Sequence, residues 1–427
     1  MSAITAVGRL TRLPRRHVLV ALCFLASVLA YTDRVNLAVA AVAMKEQFGW
    51  SQTQKGFVLS AFFVGYLLFM FAAGVVSTRL GGKLVLGVSV LAWSAFTLLT
   101  PAAASVSMAA LIVARIGMGI GEAAMFPASF ELFGRWVPAT ERARATAWLL
   151  SGIPMGTVIG LTASGWLVGH FGWSSAFYAF GVAGIAWGVV WFRSVKAGPD
   201  LDPTVTASEL ALLSSTATPP ARLTPAEYRR LLLSAPVAAI SIAHFATTWT
   251  LYVLISWLPS YFREVQGLSI ANAGLYSAAP WLSMFAATNV VASLSDRLIA
   301  RGATLTFMRK LVQCLGLVLS AGALLLMPLA QSPGVALVMM CCAMAALGFV
   351  NSGFAPAMLD VAPRHGAVIS GYSNTFATVP GIVGVATMGW LVDLTGTYTA
   401  GFVLTATVSV IGSIAFAVLY DAKRIID

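Results

Sequence analysis

Two pairs of ionisable residues interrupt long apolar runs in this chain: Arg115 with Glu122, and the adjacent Asp33 and Arg34. A guanidinium grips a carboxylate through a bidentate fork and stays charged at any working pH, whereas a carboxyl can take up and release a proton. Arg115 and Glu122 are seven residues apart, which puts them on one face of a helix about two turns apart. An unpaired charge within a bilayer costs at least roughly 2.5–3.5 kcal/mol on insertion scales, so such residues face a bundle interior or a water-filled cavity. The alternative is a buried structural ion pair. A second pair in another apolar run argues for a central polar site. Asp33 and Arg34 point about 100° apart on a helix, so they cannot both face one partner, and Asp33 is read as reaching another helix or as purely structural.

The elements that must carry these residues are membrane spans. The chain has 427 residues, 59% hydrophobic and 10% charged, against roughly 25% charged in soluble domains. Apolar runs of about 20 residues indicate helices rather than a barrel. They fall at roughly 17–42, 55–78, 84–103, 106–133, 145–169 and 173–192, then at roughly 232–260, 272–294, 309–329, 334–360, 367–391 and 399–420. The expected fold is an all-α membrane protein of twelve transmembrane helices in two six-helix halves. An even number of spans puts both termini on one side.

The net charge of +11 comes from residues lying between the apolar runs, with no basic region interleaved with exposed aromatics; that excludes nucleic acid as partner. Of 26 basic residues, 21 fall in the N-terminus, the even-numbered connections and the C-terminus. Lys45, Lys55 and Arg263 fall in odd-numbered connections, and Arg34 and Arg115 in spans. The asymmetry places both termini in the cytoplasm. The basic start (Arg9, Arg12, Arg15, Arg16) leads into a run too long for a cleavable signal, so the first span is expected to remain. Cys23, Cys314, Cys341 and Cys342 make no metal-type spacing and read as packing residues. No metal, cofactor or catalytic constellation emerges, so the chain is not read as an enzyme.

Residues 193–231 hold Asp200, Asp202, Glu209 and five prolines (Pro199, Pro203, Pro219, Pro220, Pro225). They read as a cytoplasmic linker, with a short helix near 206–214, between an N-terminal half (1–192) and a C-terminal half (232–427). The halves repeat. Gly49-x-Ser51-x4-Gly56 recurs as Gly267-x-Ser269-x4-Gly274 at an offset of 218 residues, and Arg79 and Lys83 recur as Arg297 and Arg301 at the same offset. Parallel six-span halves holding a solute near the midplane are a transporter pattern.

Residues 74–83 run Gly74-Val-Val-Ser-Thr78-Arg79-Leu-Gly81-Gly82-Lys83, which resembles the loop G-x-x-x-D-R-x-G-R/K-R/K of the major facilitator superfamily, with Thr78 where that family has Asp. The second-half copy keeps Asp296-Arg297. Within the superfamily the chain resembles the anion:cation symporter group, which includes bacterial sugar-acid permeases and the sialin and vesicular glutamate carriers. The matching pieces are Tyr31-Thr-Asp33-Arg34-Val-Asn36-Leu, Arg115-x3-Gly119-x2-Glu122-x3-Phe126-Pro127, Trp136-Val-Pro138-x2-Glu141-Arg142-Ala, Trp257-Leu-Pro259-Ser-Tyr261 and Asn374.

That resemblance implies a monomeric, proton-coupled symporter for a small organic anion, a sugar acid such as a hexuronate, aldonate or aldarate, in a bacterial inner membrane. It implies that Arg34 and Arg115 serve the anion, that Asp33 and Glu122 couple protons, and that Arg79, Lys83, Asp296 and Arg297 hold helix ends together. Tyr31, Tyr252, Ser373 and Asn374 are candidate substrate contacts; His244 and Asn351 are weaker candidates, each with interhelical packing as its alternative. Glu131 and Asp360 read as helix-end or gate residues. An aromatic or dicarboxylic acid permease is the second transport reading, and a membrane sensor the reading from another class. Trp50, Trp173, Trp257 and Tyr398 at span ends read as an interfacial belt.

Overall fold

The computed structural model describes residues 14–214 and 223–426, so Arg9, Arg12, Pro219 and Pro220 lie outside the described residues. Among those described the fold is entirely helical. Eleven helices are long and apolar enough to cross a membrane: α1 (Arg15–Phe48), α2 (Gln52–Leu80), α3 (Gly82–Val106), α4 (Met108–Trp136), α5 (Arg142–Phe171), α6 (Ser174–Ser194), α7 (Ala235–Glu264), α9 (Leu305–Leu329), α10 (Pro333–Val361), α11 (Gly366–Thr395) and α12 (Thr399–Leu419). The twelfth, α8 (Ile270–Ala300), has 31 residues, enough for about 46 Å of helix. It carries Asn272, Asn289, Asp296 and Arg297 and is not among the eleven. The linker holds the expected short helix at Ala207–Ser214 and another at Pro225–Leu232, opened by a Thr224–Glu227 capping box.

The described residues form two compact units. Of the described residues the first takes in 14–34, 64–157 and 177–214; the second 35–63, 158–176 and 223–426. Compactness therefore divides the chain differently from the repeat-based 1–192, 193–231 and 232–427. The reason is that one end of α1, α2 and α5 is buried against second-half helices.

In the first unit α3 packs along α4. Thr32 Oγ1 on α1 donates to the Gly156 carbonyl on α5 at 3.1 Å, and the α6 indoles of Trp187 and Trp191 donate to the Leu22 and Lys83 carbonyls. The linker is anchored here. Buried Glu209 accepts from the backbone nitrogens of Arg15 and Arg16 at 3.2 and 3.1 Å and from the Arg16 side chain, capping the start of α1. Arg16 also bonds Glu141 at 2.9 Å, and Arg15 bonds Asp202 at 3.1 Å.

In the second unit α7 packs along α11 and α12, α8 along α10, and α9 along α12. The repeated sequence motif becomes a repeated structure there. Gly49 and Gly267 end helices at φ 68° and 69°, a left-handed conformation that glycine adopts without a Cβ penalty. Ser51 and Ser269 then cap α2 and α8, accepting from the Gln54 and Asn272 nitrogens. Gly56 and Gly274 admit a neighbouring helix: an added Cβ would meet Ala386 O on α11 at 3.3 Å and Leu161 O on α5 at 2.5 Å.

Two spans bend. In α4 the helix is interrupted at Ala123–Ala124, between segments Met108–Glu122 and Met125–Trp136. Pro127 lacks the N–H that would bond the Ala123 carbonyl, and its ring crowds that oxygen. In α10 the bend lies at 350–353, four residues before Pro356, and the freed Ser352 carbonyl accepts from Arg309 at 3.2 Å. Arg309 also binds Asp360 at 2.8 Å, which makes Asp360 a helix-end anchor.

The interfacial-belt reading of four aromatics is corrected. Trp50, Trp173, Trp257 and Tyr398 are each under 10% exposed. They lie at span ends but face neighbouring helices: Trp257 Nε1 donates to Val385 O at 3.0 Å, Tyr398 to Glu264 at 2.7 Å and Trp173 to Gln47 at 2.7 Å, while Trp50 stacks on Phe48.

Candidate functional site

The first unit gathers Tyr31, Asp33, Arg34, Arg115 and Glu122. The pairing between them differs from the one helix periodicity suggests. Glu122 is bonded to Arg34 across the α1–α4 contact, the two side chains being 1% and 5% exposed. It is not bonded to Arg115 on its own helix; Arg115 donates to Met118 Sδ at 2.8 Å and stands in the field of both Asp33 and Glu122. Sequence spacing fixes which residues share a helix face, but partner choice depends on how two helices are rotated and how deep each side chain lies. Glu122 is also the last residue before the α4 break, where the backbone turns.

Arg34 is held on more than one side. Its guanidinium carbon lies 4.5 Å from the Tyr31 ring centroid, one turn earlier on α1, and 5.3 Å from that of Tyr66 on α2. Two aromatic faces attract a cation through their quadrupoles and fix its plane. Tyr66 is absent from the sequence-based candidates; the signal that could have found it is a phenol within an otherwise apolar span, at a position no helix-end role explains. Asp33 is wholly buried. Among the described residues neither of its oxygens has a partner at ordinary hydrogen-bond distance, and Trp93, Arg115 and Glu122 are the groups that act on it.

Two guanidiniums and two carboxylates in one buried cluster cancel in formal charge, which is how four ionisable groups can share a low-dielectric site. Such a cluster can exchange partners. An incoming anion can replace Glu122 on Arg34, and a proton on Glu122 removes the competitor.

The other candidates lie in the second unit. Ser373 and His244 Nδ1 are 3.1 Å apart, and His244 stacks on Phe354 at 4.5 Å. Tyr252 lies against Phe63 at 4.5 Å, and Asn351 donates to Thr288 at 3.2 Å. The Asn374 carbonyl accepts from Thr378 within α11. Arg79, Lys83, Asp296 and Arg297 form no ion pair among the described residues. In the 2–3 loop the carboxylate at work is Glu131, which accepts from the Gly82 nitrogen at 2.7 Å and pairs with Arg135.

The sequence model described as Major Facilitator Superfamily matches residues 23–385. The chain belongs to the major facilitator superfamily. It is therefore a multi-pass integral membrane protein of a transporter family, not an enzyme. Among major facilitator relatives, it is 34% identical over 414 residues to "Probable anion transporter 4, chloroplastic" of Oryza sativa subsp. japonica, covering 97% of this chain and 70% of the relative. It is 34% identical to "Sodium-dependent phosphate transport protein 1, chloroplastic" of Arabidopsis thaliana (97% and 81% covered) and 33% identical to that plant's "Ascorbate transporter, chloroplastic" (97% and 76% covered). The solved major facilitator structures it resembles include a bacterial homologue of the lysosomal transporter Spinster in an inward-facing, occupied conformation, at TM-score 0.76, 19% identity, and 95% and 96% coverage. A D-xylose–proton symporter follows at TM-score 0.73, 15% identity, and 95% and 98% coverage. These structural likenesses show the fold.

Proposed function

We propose that this major facilitator protein carries a small organic anion, a sugar acid such as a hexuronate, aldonate or aldarate, together with protons by alternating access. The observation that carries the reading is the Arg34–Glu122 bond between two tyrosine faces: a guanidinium preset in orientation and occupied by a carboxylate that an anion can displace. Arg34 takes the substrate carboxylate, Arg115 supplies the second positive charge, and Tyr31 flanks the site. Protonation of Glu122 releases Arg34 for substrate, and Asp33 is the second proton-accepting candidate. Tyr252, Ser373 and Asn374 then serve substrate hydroxyls. The anion-transporter names of the plant relatives support the substrate charge.

The Lys/Arg distribution supports both termini in the cytoplasm, with the odd-numbered connections outside. A bacterial inner membrane is the setting the sugar-acid reading expects. The chloroplastic relatives make a plastid envelope the alternative, with stroma in place of cytoplasm. Arg79, Lys83, Asp296 and Arg297 are assigned to holding the even-numbered connections together when that face closes.

The relative named as a sodium-dependent phosphate carrier favours a second reading, sodium-coupled transport of inorganic phosphate. Uptake by proteoliposomes separates the two. Sugar acids, ascorbate and phosphate are each offered with an inward proton gradient and, separately, an inward sodium gradient. The proposal requires organic-anion uptake that a protonophore abolishes; uptake that ignores the protonophore and follows sodium overturns it.

A further inference from the structure

Away from the Arg34 cluster, the second unit buries another cation. Lys55, near the start of α2, is 0% exposed. Its ammonium lies 3.0 Å from Ser260 Oγ, 3.0 Å from Glu264 Oε1 and 4.7 Å from the Trp257 ring centroid. Glu264 is the one carboxylate within ion-pair distance of it among the described residues. Glu264 itself is better provided for, accepting from Gln52 Nε2 at 2.6 Å, Tyr398 at 2.7 Å and Lys45 at 3.4 Å as well. Beside it, Asp393 on α11 accepts from the Gln52 and Thr53 nitrogens at 2.9 and 2.7 Å and so caps α2. Glu264 and Asp393, both from the second half of the sequence, thus hold one end of α1 and α2.

This knot is asymmetric. If the α1–α2 end parts from α7, α11 and α12, Glu264 keeps Tyr398, which sits on the same side as itself. Lys55 keeps none of its three partners. An ammonium stripped of its counter-ion in a poorly solvated crevice is costly, and as a flexible point charge it accepts any anionic oxygen group in exchange. We propose that Lys55 is an anion-capture site on the odd-connection face, closed by Glu264 until a carboxylate or phosphate group of a small solute replaces that side chain. The solute then compensates the parting of the helices as well as being collected by it. This rests on the anion-transport reading above and adds a second anion-binding site to it.

The test uses full-length protein with its four native cysteines replaced by serine and with Ser256→Cys added. Ser256 lies one turn from Ser260 on the same face of α7 and is 6% exposed. An impermeant maleimide is presented at the odd-connection face, with gluconate, ascorbate or inorganic phosphate titrated in. Labelling is expected to be slow without anion and to accelerate with one of the three. Glu264→Gln removes the competing carboxylate, so acceleration is expected at several-fold lower anion concentration. Lys55→Gln should label without any dependence on anion. The opposite effects of the two variants separate capture from mere loosening of the structure.

A Lys55→Gln response with the parental midpoint, or a shift of both variants in the same direction, overturns the proposal. Failure of every anion to accelerate parental labelling also overturns it. Uptake of the same anions by the parent then tells the two readings apart: intact uptake leaves anion transport standing without the Lys55 site, and absent uptake removes both.

Discussion

Glu122 on α4 is bonded to Arg34 on α1 and not to Arg115, two turns back on its own helix. The carboxylate thus occupies the guanidinium that two tyrosine rings hold in place. In the proposed mechanism, competition between substrate and Glu122 falls on Arg34, with Arg115 and Asp33 as the surrounding charge balance.

Glu122→Gln keeps the shape of a protonated Glu122 but cannot release a proton. The loaded carrier is expected to reorient, so counterflow of internal for external substrate persists. Proton-driven accumulation is expected to fail, because the empty carrier no longer returns with an ionised Glu122 on Arg34. Side-by-side counterflow and gradient-driven uptake check this. Intact accumulation moves the coupling role to Asp33, and loss of both activities in folded protein makes Glu122 part of the binding site.

Arg34→Lys preserves charge and loses the planar fork and its fit between rings. Binding of the transported anion is expected to weaken roughly tenfold or more, about 1.4 kcal/mol or above, in a titration of purified protein. Near-parental affinity would transfer the direct contact to Arg115.

Tyr66 contributes through its ring face. A cation–π contact is worth about 0.5–2 kcal/mol, so Tyr66→Leu should weaken anion binding by roughly 2- to 30-fold, while Tyr66→Phe should retain most of it. Equal losses in the two variants would assign the effect to the hydroxyl instead.

At the α4–α5 loop, the hydrogen bond from Arg16 holds the Glu141 carboxyl below its usual 4.5. A lowered folded-state value means that the stabilisation is present above 4.5 and is lost as pH falls through the lowered value. Thermal unfolding of the parent should therefore decline more steeply than that of Glu141→Gln as pH is taken from neutral to below 4. Identical pH profiles would show that the Arg16–Glu141 bond contributes nothing measurable.

Much of this architecture is written in local chemistry. Gly49, Ser51 and Gly56 and their counterparts at 267, 269 and 274 are readable because each acts through its own backbone or an adjacent helix start. The run lengths are readable because bilayer thickness sets them. Cross-helix choices are not. Lys55 and Glu264 are 209 residues apart, and a lysine beside a connection looks like a topology charge until the helix that covers it is known. The four end aromatics fail for the same reason: position along a span says nothing about whether lipid or another helix lies beside the ring.

The carboxylate of Glu209 that closes the start of α1 has a consequence for dividing the protein. Although it follows the sixth span in sequence, it behaves as a component of the first, satisfying two amide groups that nothing else in its own helix can reach. Co-expressed fragments cut after Ser214 would carry that group with the helix it serves. Fragments cut just after Ser194 would instead leave the opening turn of α1 dependent on a peptide supplied by the other piece, so complementation should be sensitive to which of the two cuts is made.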